Sequence, residues 1–579
     1  MHGGDMVAKV LSVQGVKVVF CLCGGHISPI LVGCKRAGIG VLDVRNEATA
    51  VFAADAASRV TGIPGVAVVT AGPGVTNTVT AVKNARMAQS AMVLIGGAAP
   101  TVLKGRGALQ DIDPGSLMAT VAKAAISVRR NCDIVSALER AFLMAGEGVP
   151  GPVFVEMPVD LLYPESLARK WYGGATDAKS AKTVGERLKS LYLRHYVDRM
   201  FSCSLDEMET TLSVVSPPVP DADSVKKVAA LLDRVHFPVM VLGSQAMLCP
   251  DRVGELAAAV DQLGIPVFLT GMARGLLGED HRLQIRHKRK GALKQADLVI
   301  MAGMPCDFRM DYGRVMGRKT TLVAANRSKH DLYLNRKPDV ALHADPFFFL
   351  AALARETVLQ SGERWMDWRS SLTMADRQRE AEIDAMANFS GQYVNPILFF
   401  RKLDRFLTGN AILVADGGDF VATAAYTLSP KGPLQWLDPG VFGTLGVGAG
   451  FALGARQGRP DAEVWILYGD GAAGYSITEM DTFVRHGLPV IAVVGNDAGW
   501  TQITRDQREI LGDDVATVLA RTDYHRVARG YGAEGLVVKA DHEIDAALAT
   551  ARAVAAAGKP VLINLWIDPT DFRKGSISM

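Results

Sequence analysis

Val464-Trp465-Ile466-Leu467-Tyr468-Gly469-Asp470-Gly471 is followed, after a helical pattern, by Pro489–Val494 running into Asn496-Asp497-Ala498-Gly499. Two apolar runs, each ending at a turn that carries side-chain oxygens, read as parallel strands buried on both faces. Asp470 at the end of one strand and the Asn496-Asp497 pair at the end of the next then lie at the mouth of a doubly wound sheet, where ligands bind. That donor set suits magnesium. A hard cation takes oxygen ligands and stays attached to phosphates, so two side chains plus a backbone carbonyl leave room for a diphosphate. Gly471, Ala472 and Gly474 open the following helix and offer backbone amides to phosphate oxygens. A lone Gly-Asp-Gly is an ordinary turn; the second cluster at this distance gives it weight.

The same strand-and-helix alternation recurs along the 579 residues. With 49% hydrophobic residues, 21% charged and 58 glycines, the chain reads as a folded α/β protein of several domains. Three blocks emerge, residues 1–165, 225–355 and 391–579, joined by linkers at 166–224 and 356–390, which gives an expected fold of three doubly wound parallel-sheet domains. Charges are interleaved around a net of +3, so no nucleic-acid surface is expected. The one basic run, Arg286–Lys290 with His287, reads as a solvated face. No run reaches the ~20 apolar residues of a membrane span; Val441–Ala455 is Gly-rich and too short. Seven cysteines without a CxxC read as reduced thiols. The expected location is the cytoplasm, or the endoplasmic reticulum if a membrane anchor has been removed. Asp571-Phe572-Arg573-Lys574-Gly575 reads as a solvated basic tail rather than a phosphate contact.

Gly469-Asp470-Gly471 with Asn496-Asp497 resembles the fingerprint of thiamine diphosphate enzymes. The resemblance implies that Asp470, Asp497 and the carbonyl of Gly499 hold Mg2+, with Asn496 as the alternative ligand if the register slips by one. It names the three domains pyrimidine-binding, central and diphosphate-binding. It also implies a glutamate hydrogen-bonded to the cofactor's aminopyrimidine; Glu47-Ala48-Thr49-Ala50, with Ala53 and Ala54 on the next turn, is similar to that segment. Read alone, Glu47 is only an acid favoured by a helix N-terminus. Ala71-Gly72-Pro73-Gly74-Val75-Thr76-Asn77 resembles the turn packed near the pyrimidine, which makes Gly72 and Asn77 cofactor contacts. Gln110, in Leu109-Gln110-Asp111, takes the place of a substrate-side polar residue. Gly443-Thr444-Leu445-Gly446 supplies the carbonyl of Gly443 for the cofactor's amine and Leu445 as the wedge that bends it. Asp416-Gly417-Gly418-Asp419 is similar to the loop over the diphosphate, with Gly417 and Gly418 as contacts; an acidic Asp419 there is unfavourable unless hydrogen-bonded or turned away.

Two stretches bear on the branch. Gly24-Gly25-His26 places a histidine on the loop after the first strand, where it is either a structural residue or a proton relay. Met272-Ala273-Arg274-Gly275 and Ala296-Asp297-Leu298-Val299 resemble oxalyl-CoA decarboxylases and 2-hydroxyacyl-CoA lyases, the nearest group being the acetolactate-synthase-like second type of 2-hydroxyacyl-CoA lyase. The implied activity is cleavage of an acyl-CoA substrate to an aldehyde and formyl-CoA, in a homodimer or homotetramer with active sites between subunits. The alternative is acetolactate synthesis from two pyruvates. FAD or ADP in the central domain fits that alternative and is not otherwise expected. A silent, cofactor-free subunit predicts loss of Glu47 or Asp470, and both are present.

Overall fold

The computed structural model describes residues 1–173, 183–357, 364–389 and 391–573. Lys574 and Gly575 of the C-terminal tail lie outside them. Two compact units form: residues 1–58 with 63–216, and residues 59–62 with 217–579. The first holds one six-stranded sheet, and the second holds a five-stranded and a six-stranded sheet. Every pairing between these strands is parallel, so the expected α/β class with three parallel sheets is what the chain adopts.

In the first unit the strands are β1 (Val18–Leu22), β2 (Gly40–Asp43), β3 (Gly65–Val69), β4 (Met92–Ala98), β5 (Ala124–Ser127) and β6 (Pro152–Pro158), in spatial order β2-β1-β3-β4-β6-β5. The second unit continues with β7 (Pro238–Leu242), β8 (Val267–Leu269), β9 (Leu298–Ala302), β10 (Thr321–Ala325) and β11 (Val340–Leu342), ordered β11-β10-β9-β7-β8. Its last sheet contains β12 (Ala411–Asp416), β13 (Trp436–Leu437), β14 (Glu463–Gly469), β15 (Ile491–Asn496), β16 (Glu534–Val538) and β17 (Val561–Trp566), ordered β13-β12-β14-β15-β17-β16. Central strands β3, β4, β6, β7, β9, β12 and β15 are buried along their whole length. That is why they read as unbroken apolar runs rather than alternating ones.

The covering helices follow from amphipathic spacing. In Val253–Leu263, Leu256, Ala259, Val260 and Leu263 recur at the helical period and are buried. In Pro396–Phe406, the Asn395 side chain accepts from the amides of Ile397 and Leu398, Pro396 fills the first turn, and Ile397, Phe399, Phe400 and Leu403 face inward. Leu403 is fully buried, so truncation to alanine costs about 2–5 kcal/mol.

Three expectations are corrected. Cys132 and Cys203 are disulfide-bonded across 71 residues, and disulfides persist in oxidising surroundings, so the thiols are not all reduced. Cys132 precedes the helix Asp133–Gly146 and Cys203 follows the helix Val184–Met200; nothing in their spacing announces the bond. Arg286 and His287 are not a solvated face: both bond to Glu380 Oε1, at 2.9 and 2.6 Å. The tail is also less solvated than expected, since Phe572 and Arg573 pack on the Tyr426 ring. Among the described residues no helix is long and apolar enough to cross a membrane.

Closing a 71-residue loop constrains the unfolded chain by about 4 kcal/mol in the chain-entropy account. Cys203→Ser is expected to lower the melting temperature, and non-reducing peptide mapping should recover the Cys132–Cys203 cross-link; free thiols at both positions would refute the pairing.

Candidate active site

In the first unit the chain steps outward from β1 to β2 and returns to β3 on the other side of β1, so the topological switch point lies between β1 and β3. His26 comes from the loop after β1 and Thr70 from the end of β3; their Nδ1 and Oγ1 atoms stand 3.3 Å apart across that point. Burial lowers the pKa of His26, which favours the neutral ring that can accept a proton. Glu47 begins the helix Glu47–Thr61 after β2 and is 7% exposed. Asn77 Nδ2 donates to Glu47 Oε2 at 3.0 Å. Asn77 therefore orients the glutamate, a tie its sequence motif did not reveal. Gly72 has φ +59, and a Cβ there would lie 2.8 Å from Gln110 Cβ and 3.0 Å from its carbonyl oxygen. Only glycine lets the loop after β4 close on this turn. Half-buried Gln110 itself sits at φ +60. Glu47, His26, Gly72, Asn77 and Gln110 all lie along the carboxyl edge of the first sheet.

In the last sheet the register sets Asp416 beside Tyr468 and Gly469 beside Gly495. Asp470 and Asp497 consequently emerge at neighbouring strand ends, and the switch point lies between β12 and β14. Asp470 Oδ1 accepts from the Gly471 amide at 2.8 Å and Oδ2 from the Gly499 amide at 3.2 Å. The Gly471 amide, expected at a phosphate, is thus engaged by Asp470. Tyr524 donates to the Asp470 carbonyl at 3.0 Å, and Thr501 donates to Asp497. Burial and then the charge of Asp497 push the Asp470 carboxyl up to about 7. Burial, with a contribution from Asp419, pushes Asp497 up to about 6.

Asn496 is placed differently. It is fully buried, and its Nδ2 donates to Thr522 O and to Asn564 Oδ1, both at 3.1 Å. Ala472 is buried in the helix Asp470–Ser476. Gly417, at φ +150, brings its backbone so close to Gly469 that a Cβ would lie 2.7 Å from the Gly469 nitrogen. Gly418 precedes the helix Asp419–Thr427. Asp419 is paired with Arg505 at 3.0 Å, which offsets only part of the burial that raises its carboxyl. Gly443 closes a turn at φ +65, and Leu445 beyond it is half-buried.

Asp416, which sequence reasoning took for part of a loop, ends β12. Fully buried, it accepts from the Gly446 amide at 3.1 Å and the Gly448 amide at 2.8 Å. It therefore fixes the Leu445 segment to the end of β12. In the Met272–Gly275 stretch, Arg274 donates to the Ala425 carbonyl and lies over the Trp436 ring at 4.6 Å. With Arg286, which donates to Tyr426 O and Leu428 O at 3.0 and 2.9 Å, it caps the far end of the helix Asp419–Thr427. Both arginines line a cavity of about 550 Å³.

These residues fit a divalent cation and a diphosphate. Among the described residues no three His, Cys, Asp or Glu side chains gather, so a cation held by Asp470 and Asp497 completes its shell with carbonyl, water or phosphate oxygens, as magnesium does. Two desolvated carboxylates are costly without such a cation.

A carboxyl whose pKa rises on folding contributes stability that is full below its unfolded value near 3.8 and is lost as pH climbs through about 6 and 7. Mg2+ with thiamine diphosphate is accordingly expected to raise the melting temperature of the cofactor-free protein more at pH 8 than at pH 5.5, because ligation needs both carboxylates ionised; equal shifts would contradict the ligand set. Asp416→Ala, which strands two amides, is expected to weaken cofactor binding by about tenfold or more in titration calorimetry.

The family model described as thiamine pyrophosphate enzyme, N-terminal TPP binding domain, matches residues 1–117, the central-domain model matches 225–353, and the C-terminal TPP binding domain model matches 416–565. The chain is 49% identical to 2-hydroxyacyl-CoA lyase 2 of Homo sapiens, over all of this chain and 92% of that protein. It is 48% identical to 2-hydroxyacyl-CoA lyase 2 of Danio rerio, over all of this chain and 93% of that one. It is 32% identical to an acetolactate synthase large subunit of Mycobacterium tuberculosis, over 98% of this chain and 96% of that protein. On these matches, which run through all three sheets, the chain belongs to the thiamine pyrophosphate enzyme family.

Proposed function

We propose that the chain is a thiamine diphosphate- and magnesium-dependent carbon–carbon lyase that cleaves a 2-hydroxyacyl-CoA to an aldehyde and formyl-CoA. The observation that carries this reading is full-length similarity to proteins named 2-hydroxyacyl-CoA lyase 2 at 49% identity, against 32% to an acetolactate synthase. The cofactor supplies a nucleophilic carbon and an electron sink for the bond that breaks. Everything else falls to side chains. Asp470, Asp497 and the Gly499 carbonyl hold magnesium. Asp497 is taken as the ligand over Asn496 because it is close enough for its charge to act on the Asp470 carboxyl; Asn496 donates through Nδ2 to Asn564 and Thr522, and its Oδ1 has no partner among the described residues. Gly417 and Gly418 let backbone approach the diphosphate, and Leu445 and Gly443 shape the ring site. Glu47, held by Asn77, hydrogen-bonds the aminopyrimidine. His26, poised as a neutral base beside Thr70, takes the proton of the substrate's 2-hydroxyl. Gln110 contacts the substrate. The active assembly is a homodimer or homotetramer in which Glu47 serves a neighbouring subunit's cofactor.

Purified protein with Mg2+ and thiamine diphosphate, offered a 2-hydroxyacyl-CoA or pyruvate, is expected to release formyl-CoA and an aldehyde from the first; acetolactate from pyruvate alone would replace this reading with synthesis. Glu47→Gln should lower kcat by about 10²–10⁴. His26→Gln should slow turnover similarly. In the parent enzyme kcat/KM should fall as pH drops through a value below 6.5, where the ring gains its proton; an acid limb unaffected by His26→Gln would remove the histidine from the mechanism.

A further inference from the structure

The loop that presents Gln110, residues 101–112, is held weakly by its own backbone. Its described backbone hydrogen bonds run inside or just before it: Leu103 to Pro100, Arg106 to Leu103 and Asp111 to Ala108, with the Gly105 amide on the Asp111 side chain at 2.6 Å. Two acids on β6 and the turn after it reach into the loop from the body of the unit. Glu156, in β6, pairs with Lys104 and accepts from Ser127 Oγ at 2.5 Å. Asp160, in the turn Val159–Leu162, is fully buried. A single oxygen of Asp160, Oδ2, accepts three hydrogen bonds: from the Thr101 amide at 2.9 Å, the Thr101 hydroxyl at 2.6 Å and the Tyr172 phenol at 2.6 Å. Its other oxygen has no partner among the described residues.

Burying a carboxylate with one oxygen unsatisfied is unfavourable, and neither magnesium ligation nor Glu47 uses it. What the arrangement achieves is geometric. Thr101 is the first residue of the loop, fixed through both backbone and side chain to one immobile atom. Tyr172, from the helix Glu165–Gly173, closes the same atom from the other side. With Thr101 pinned, the loop is aimed at the turn where Gln110 approaches Gly72.

We propose that Asp160 is a positioning residue: through Thr101 and Tyr172 it sets the root of the 101–112 loop and thereby places Gln110 at the substrate. This rests on the lyase reading only for what Gln110 does; the hold on the loop stands apart from it. Losing both bonds at the root is expected to raise local opening by about tenfold or more.

The test uses the full-length holoenzyme. In Asp160→Ala, which loses both Thr101 bonds, hydrogen exchange at amides 102–111 is expected to rise about tenfold or more, and in Thr101→Val, which loses only the hydroxyl bond, by about threefold or more, with cofactor affinity unchanged in both. kcat on a 2-hydroxyacyl-CoA should fall by a similar factor with little change in KM. Added to Gln110→Ala, either substitution should cost no more than about twofold further, because both act through one side chain. Asp160→Asn, whose amide oxygen can still accept, should recover most of the activity. Unchanged exchange in the loop overturns the proposal, as do losses that simply multiply with Gln110→Ala. If Asp160→Ala folds poorly, Thr101→Val and Tyr172→Phe give the same readouts. Gln110→Ala with full turnover would sink the substrate role of Gln110, whereas the exchange data would still decide whether Asp160 holds the loop.

Discussion

Carboxylates buried at the ends of parallel strands are the constraint to which the last sheet answers. Asp416, Asp470 and Asp497 all leave water where the strands end, and burial pushes all three carboxyls well above their usual range. A desolvated carboxylate must be hydrogen-bonded, paired or metal-bound. Each finds a different answer here. Asp416 takes two loop amides, Asp470 takes two amides of its own turn and the next, and Asp497 takes a hydroxyl. Asp419, one turn away, takes Arg505. Hydrogen bonds offset burial only in part at Asp416, Asp470 and Asp497, since each carboxyl stays above its usual range; Asp416 ties the Gly446–Gly448 segment to its strand end, and in the proposed reading a cation offsets Asp470 and Asp497 further.

The first unit uses two kinds of partner along its edge. His26 with Thr70 and Glu47 with Asn77 set a titratable group against a neutral one, whereas Glu156 takes Lys104 and Asp160 takes Thr101 and Tyr172. A neutral partner orients a side chain without an ion pair, and the buried acids are compensated by a cation or by hydrogen bonds, as in the last sheet.

How much of this was legible in the sequence depends on the range of the interaction. Asp470 and Asp497 were readable because strand, turn and oxygen ligand are contiguous, and because the parallel register brings successive strand ends together. Glu47 and Asn77 were readable as separate motifs, but their hydrogen bond was not, since nothing in a one-dimensional pattern sets Asn77 against Glu47. Arg505 with Asp419, Asp416 with Gly446 and Cys132 with Cys203 are long-range pairings that carry no periodicity. The edge strands β11 and β13 have three and two residues, too few for any alternation to register in the sequence. The basic run at Arg286 misled because its acid, Glu380, lies about 90 residues downstream.

The same distinction bears on where specificity resides. Met272-Ala273-Arg274-Gly275, the wording that separated one branch from another, works through a helix: Arg274 and Arg286 cap the carbonyl end of Asp419–Thr427, while Arg505 neutralises the acid at its amide end. A helix so fixed at both ends holds the Gly417-Gly418 loop in place, the loop that the proposed reading sets against the cofactor's diphosphate. Residues that steady a shared cofactor mark ancestry without choosing a substrate. Choice has to be exercised where the reacting carbon is met, and in the proposed reading the side chains there are His26 and Gln110 on loops of the first unit. Gln110 sits at a positive φ against a glycine, a conformation that costs a non-glycine residue about 1–3 kcal/mol and persists only where its surroundings enforce it. The loop that carries Gln110 is held at its root by Asp160 and further along by the Glu156–Lys104 pair, long-range contacts that sequence patterns describe least.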